Sequence, residues 1–312
     1  MVRNYINELK GILATGSFSQ RDLAGRLGVT FAALNRWLNR RATPHPRHIQ
    51  TIHKLYLEIV GYPAISGRKL EDIIRHAKSF KKKRLWGIIA KHQPLLDELL
   101  LEHTYNSTSI EGTTFTKKET EAVLFDKSVI PEKSLAEHLE VTNHAAVLRE
   151  LFQKKYPRSI TEEFIKRMHR NLMQGLREDA GEYSKHQRAI RGVDIALTHP
   201  KDIPEEMAHL IKNWNQGVSS KTIKEIANFH VRFELIHPFG DGNGRLGRLL
   251  MTFQCLEADY SPVVIENSRK AEYYEALEYA QRKSEGPFIA FLADEMERTH
   301  KIIKRYLIAA GL

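Results

Sequence analysis

Apolar side chains return at three- and four-residue steps through almost the whole of this chain. The pattern runs through "LLDELLLEHTYNSTSIEG", "ETEAVLF", "SLAEHLEVTNHAAVLRELFQ", "TEEFIKRMHRNLMQGL" and "EEMAHLIKNWNQ". That period places one apolar stripe on each helix, so the expected class is all-α, with helices burying their stripes against one another. Helix starts are marked as well. Thr116 to Glu119 has the form of a capping box, and Thr161 precedes Glu162 and Glu163, whose charge suits a helix N-terminus. Only "RAIRGVDIALTHP" reads as extended. There Val193, Ile195 and Leu197 alternate with Asp194, Ala196 and Thr198 between Gly192 and Pro200. We read it as a small β-hairpin flap lying on a helical body.

A length of 312 residues calls for one large or two unequal domains. No apolar run reaches the roughly 18 residues of a membrane helix, which argues against a membrane partner. The N-terminal residues lack the apolar core of a secretory leader. The one cysteine, Cys255, excludes an internal disulfide and a cysteine zinc cage, and a reducing cytoplasm is the expected location. Charge is uneven. Residues 1–92 hold 18 Lys and Arg against 5 Asp and Glu, a balance of +13 in a chain of net +10, so the remainder is at −3. An anionic partner for the front part follows from that asymmetry. The expected organisation is an N-terminal domain over 1–62, a basic linker over 63–84 ending in the cation run Lys81 to Arg84, and a second domain over 85–312.

The N-terminal domain has a mechanical layout. Ser19 can cap a short helix carrying Leu23, Ala24 and Leu27, and Gly28 supplies a tight turn. Thr30 can cap a second helix, with Leu34, Trp37 and Leu38 inward and Phe31, Asn35, Arg36 and Arg40 outward. Arg and Asn are the side chains that read guanine and adenine edges. With Trp37 late in the second helix and the "RRATPHP" exit, the stretch resembles the Cro/repressor-type helix-turn-helix family. The resemblance implies DNA contact through residues 19–41, with Thr30, Asn35, Arg36 and Arg40 as DNA-binding residues. A small bundle used for dimerisation or partner docking is the alternative.

The densest chemistry lies in "HPFGDGNGRLGR", residues 237–248. The upstream helix "TIKEIANFHVRFELI" must end near His237, because Pro238 disfavours the helical conformation before it. A second helix opens with "GRLGRLLMTFQCLEA". The motif is therefore a loop that begins a helix, where unpaired N–H groups and partial positive charge favour anions. Gly242 and Gly244 permit close approach. Arg245 and Arg248 stand three residues apart and should face the same way. Two guanidiniums beside an amide cradle suit a polyphosphate. Asp241 needs an intervening cation there, and a carboxylate with phosphate oxygens is how magnesium is usually held. Asn243 can offer its amide to a bridging oxygen, and Phe239 should anchor the loop in the core. His237 suits a general base acting on an attacking hydroxyl.

At every defined position this stretch resembles the Fic-domain signature HPFx[D/E]GNGRxxR, and the likeness extends over about residues 90–300. The resemblance implies a Fic-type helical bundle and an ATP-dependent protein adenylyltransferase, which moves AMP to a Ser, Thr or Tyr hydroxyl of a target protein or of itself. It makes His237 the catalytic base and Asp241 the magnesium ligand. The nucleotide is assigned to Gly242, Asn243, Gly244, Arg245, Leu246, Gly247 and Arg248, with Arg248 on the γ-phosphate.

"NSTSIEG" resembles the family's inhibitory motif [S/T]xxxE[G/N], which assigns Ser107 and Glu111, on a helix over about 95–112, to a brake in which Glu111 competes for Arg248. In "EYYEALEYAQ", Tyr274 and Gln281 lie two turns apart and are assigned to ribose and base. Gln281 stands where relatives carry Asn. Val193, Asp194 and Ile195 of the flap are assigned to the target segment, which could pair with an exposed strand edge. Ser184 departs from an arginine that many relatives have after the tyrosine. Transfer of another nucleotide or of phosphate, AMP removal, and a DNA-binding regulator with an ATP-sensing Fic domain stay open, as does self-association.

Overall fold

The computed structural model describes residues 5–61, 67–81, 85–153, 159–187, 196–216 and 221–311. Among them are fifteen α-helices, two short 3-10 turns and no strand. Residues 188–195, where the flap with Val193, Asp194 and Ile195 was expected, lie outside the described residues. The chain divides into two compact units, residues 1–64 and 65–312. No helix among the described residues is long and apolar enough to cross a membrane.

The first unit holds α1 (Tyr5–Ala14), α2 (Gln20–Arg26), α3 (Phe31–Leu38) and α4 (Pro46–Ile59). Ser19 and Asp22 close a capping box on α2, and the Thr30 hydroxyl accepts the Ala33 amide at the start of α3. Gly28, at φ 66°, makes the turn between them. Leu9, Ile12, Leu23, Leu34 and Ile52 form a dry core, with Trp37 at its edge. Phe31, Arg36, Arg40 and Arg41 are exposed, while Asn35 is half-buried and its side-chain oxygen accepts from Asn39. Four amphipathic helices around one apolar centre account for this unit's folding.

The second unit contains α5 (Gly67–Lys81), α6 (Leu85–Lys91), α7 (Gln93–Glu111), α8 (Lys117–Phe125), α9 (Leu135–Phe152), α10 (Glu162–Leu172), α11 (Ile203–Gln216), α12 (Ile223–Ile236), α13 (Asn243–Glu257), α14 (Lys270–Arg282) and α15 (Gly286–Ala309). The segment read as a basic linker is thus helix over most of its length. It packs on α15, where His76 stacks on His300 at 3.7 Å. Its one apolar face, with Ile73 and Phe80 buried, explains why it docks although cations dominate its sequence.

Helix α13 is the centre of the unit. From Leu246 to Leu256 every residue is buried, Cys255 included, as expected of a helix covered on all sides by α7, α9, α10 and α12. Capping boxes start α8, α9 and α12, and Thr161 caps α10 through the Phe164 amide. These caps fix where each helix begins, and so the register in which side chains from α7, α9 and α12 reach the first turn of α13.

Candidate active site

The site is the loop between α12 and α13. Helix α12 ends at His237, which takes the left-handed conformation at φ 49° and ψ 57°. Non-glycine residues adopt that region rarely, and here it reverses the chain so that Pro238 and Phe239 enter the core. Phe239 is fully buried and stacks on His169 of α10, with ring centroids 3.8 Å apart. Both ring nitrogens of His169 are used. Nδ1 accepts the Gly181 amide at 2.8 Å and Nε2 pairs with the Asp241 carbonyl at 2.9 Å. Burial holds His169 down to about 4, so the ring is neutral, and the carbonyl requires its proton on Nε2. Sequence reasoning missed this clamp. The only signal for it was a histidine on the buried face of an amphipathic helix.

Asn243 departs from the sequence expectation. Its side chain accepts the Phe239 amide and donates to the Phe239 carbonyl, both at 2.9 Å, instead of standing free for a ligand oxygen. The tight loop leaves those two backbone groups without helical partners, and one carboxamide satisfies both. The Gly242 amide turns to the Asp241 carboxylate at 2.6 Å.

The two arginines engage different carboxylates. Both are 2% exposed. Arg245 lies 2.9 Å from Glu140 of α9 and 3.7 Å from Asp241. Arg248 turns to α7: its Nε donates to the Ser107 hydroxyl at 2.9 Å, and its Nη2 donates to the Ser107 carbonyl at 2.9 Å and to Glu111 at 2.7 Å. Long side chains on one helix face can reach carboxylates on two different neighbours, which i,i+3 spacing alone does not reveal. Burial opposes the charge on Arg248, but Glu111 beside it more than compensates, and the guanidinium titrates above its ordinary range.

Ser107 and Glu111 sit on the last turn of α7, which Gly112 closes at φ 114°. The Glu111 carboxylate lies against Gly244, so close that a side chain at 244 would overlap it. The acid therefore covers the opening turn of α13, where an anion would meet the free N–H groups. Just beyond, the Thr113 hydroxyl donates to Glu140 at 2.8 Å, and Glu137 accepts the Thr114 amide and hydroxyl. Those bonds and the cap of α9 hold Glu137 at about 2.

His237 is partly accessible, at 22% of its side chain, with Nδ1 3.7 Å from Glu234. Tyr274 lies beside the Arg248–Glu111 pair. Burial first, then the Glu111 charge, pushes its phenol above the ordinary range. Gln281 is two turns further along α14, half-buried at the end of that helix. Asp241 keeps a side chain 58% exposed, and its position beside an anion cradle fits a magnesium ion arriving on a nucleotide, which takes one or two carboxylates plus phosphate oxygens. Ser184 is buried, and its backbone amide donates to the Pro238 carbonyl at 2.8 Å, a support that does not depend on the side chain at that position.

Comparison with known proteins bears on this site directly. The model of the Fic/DOC family matches residues 159–255, which span the clamp, the loop and α13. A protein adenylyltransferase Fic of Nematostella vectensis is 33% identical over 233 residues, 70% of this chain and 53% of the relative. Its counterpart in Aedes aegypti is 30% identical over 211 residues, 65% of this chain and 41% of the relative. The chain thus spans about half the length of the curated relatives it matches. Among solved structures, a Fic family protein of Desulfovibrio desulfuricans superposes with a TM-score of 0.63 at 25% identity, covering 77% of this chain and 74% of that one. A Fic-1 fragment of C. elegans gives 0.70 at 21% identity, covering 98% of each chain, and establishes likeness of fold alone. A helical body that opens its central helix with this loop, matched over residues 159–255 by the Fic/DOC model and by relatives at about 30% identity, carries a Fic domain.

Proposed function

We propose that the protein transfers AMP from magnesium-bound ATP to a Ser, Thr or Tyr hydroxyl of a target protein or of itself, and that Glu111 restrains the reaction. The observation that carries this reading is the Arg248–Glu111 pair across the mouth of a helix N-terminus, with an accessible imidazole at the other end of the same loop. In this reading the amides of residues 242–245 and the Arg248 guanidinium hold the phosphates, and Asp241 holds the magnesium. The target oxygen attacks the α-phosphorus, the bond to the bridging oxygen breaks, and pyrophosphate leaves with the electron pair. His237 takes the hydroxyl proton. The residues supply alignment and charge neutralisation, which is most of what phosphoryl-type transfer requires. Tyr274 borders the nucleotide, and Gln281 and residues 193–195 keep their assignments to base and target.

Glu111 explains why such an enzyme stays quiet. Its carboxylate occupies the phosphate side of the cradle and engages the guanidinium meant for the terminal phosphate, so ATP must displace an existing ion pair or bind out of line. The test is mass spectrometry of the Glu111→Gly protein after incubation with each nucleoside triphosphate. Addition of AMP that disappears on a further His237→Ala substitution, by about 10³-fold in rate with ATP binding retained, is the expected result. Addition of UMP or phosphate, or AMP loss from a premodified target, would replace AMP transfer by the corresponding reaction. Nucleotide binding with no product would replace it by sensing.

For the first unit we infer DNA contact through α3, favoured by the exposed Phe31, Arg36, Arg40 and Arg41 at its surface. Arg36→Ala should weaken binding to duplex DNA and flatten its salt dependence by about one charge. An unchanged isotherm would leave the unit as a docking bundle. Thr30 and Asn35 already hold α3 internally and would contribute position more than readout.

A further inference from the structure

Glu234 stands three residues before His237 on α12. It is 5% exposed. Its Oε2 lies 3.7 Å from His237 Nδ1, and its Oε1 is buried with no hydrogen-bond partner among the described residues. A buried carboxyl left incompletely paired is costly, so a stable helix would gain by replacing it. The fold instead makes room for it. Gly247 of α13 faces it, and a Cβ there would stand 2.6 Å from Oε1. Its other neighbour is His230, whose Nε2 lies 3.9 Å away but is occupied by the Tyr273 hydroxyl at 2.8 Å. Burial depresses His230 to about 3, so that ring is neutral and offers the carboxyl no charge. The one imidazole that can turn a nitrogen toward Glu234 and still reach solvent is His237.

We propose that Glu234 is a positioning residue that fixes His237 with Nδ1–H toward the protein interior and Nε2 toward the attacking alcohol. The inference rests on the reading of His237 as the base. An imidazole in solution carries its proton on either nitrogen, and only the form with a bare Nε2 can accept a proton on the outward side. A carboxylate on the Nδ1 side accepts that N–H, selects that form, restricts the ring's rotation, and stabilises the imidazolium once it exists. In the transfer step the hydroxyl proton goes to Nε2, the new oxygen–phosphorus bond forms, and the bond to pyrophosphate breaks. The Nδ1 proton stays on Nδ1 and is shared with Glu234 Oε2. The separation of 3.7 Å is that of the resting state, and such contacts tighten as charge develops. Burial first, eased by Arg248 and reinforced by Glu111, lifts the Glu234 carboxyl to about 8. Its charged form, the one that accepts Nδ1–H, is therefore the major one above about pH 8, and a cation forming opposite draws it into that state at lower pH.

The test uses the full chain with Glu111→Gly as parent, and compares Glu234→Ala and the shape-keeping Glu234→Gln. Long-range proton–nitrogen NMR at pH 9 on protein with labelled histidines reports the tautomer, with the His237 signals identified by their loss in His237→Ala. The expected result is an Nδ1–H form in the parent that shifts toward the Nε2–H form in Glu234→Ala. Steady-state transfer should then show kcat lower by about 10²-fold, with ATP affinity within a factor of two. An unchanged tautomer in both variants, or a fall in kcat matched by loss of ATP affinity, overturns the proposal in favour of a packing role. If the parent transfers nothing, the reading of function fails by itself, while the tautomer still decides what Glu234 does to His237.

Discussion

The first unit and the opening turn of α13 handle charge in opposite ways. In residues 5–61 the buried cluster is apolar, the largely covered Glu8–His53 pair is the exception beside it, and arginines 36, 40 and 41 stand in solvent. Around α13, Arg245, Arg248, Glu234 and Asn243 are each at most 5% exposed. The first arrangement is what hydrophobic burial produces unaided. The second resists it, because each enclosed ion must be matched by a partner or left at a penalty. Buried charge is dense around the loop and α13, while Glu295 of α15, enclosed beside Arg269, is a buried ion outside them.

The comparison can be broken most directly by matching two losses of stability. Leu9→Ala in the first unit and Arg245→Ala in the second should each cost about 3 kcal/mol, the first through a cavity and the second by leaving Glu140 and Asp241 without their cation. Chemical denaturation measures both. Only Arg245→Ala should also lower nucleotide transfer under conditions where the protein is folded; equal activity in the two would erase the distinction. A smaller effect, of opposite sign, is expected for Glu111→Gly. Freeing Arg248 should raise self-labelling about tenfold or more, equivalent to roughly 1.4 kcal/mol, as read by incorporation of labelled ATP.

The mildest test is acid. His103 and His230 are held to about 3 and His169 to about 4, all by burial first, against an ordinary value of 6.5. Between those limits the unfolded chain binds more protons than the folded one. Stability of the second unit should therefore fall as pH drops from about 6.5 toward 4, and be unaffected above that range by these groups. The first unit contributes none of these three rings. Melting temperatures at pH 7 and pH 5, followed by probes in each unit, should diverge.

Much of this contrast was legible in the chain. Helical period placed the elements. Pro238 put a helix end at His237, and the glycines of the loop marked the turn that opens α13. The short motif at Ser107 and Glu111 contains the two residues that contact Arg248 in the fold. What escaped were choices among partners. Spacing told that Arg245 and Arg248 share a face, but not that Glu140 and Glu111 divide them. Asn243 was chemically able to serve a ligand, and only the folded loop revealed the unsatisfied backbone groups of Phe239 that claim it. His169 and Glu234 gave only the weak signal of a polar residue on a buried stripe, which looks the same whether it is a flaw or a brace. The linker was misjudged because its cations outnumbered the few apolar residues that dock α5.

Cys255 sits in the fully covered stretch of α13, and burial lifts its thiol well above the usual range. A sulfur so placed is almost entirely unreactive toward alkylating dyes while the molecule is intact. The natural chain can therefore accept one introduced surface cysteine, beside Gly112 for example, and carry a fluorophore there alone. Any change in the surroundings of the α7 terminus on adding nucleotide would then be read as a change in emission, without first redesigning the background.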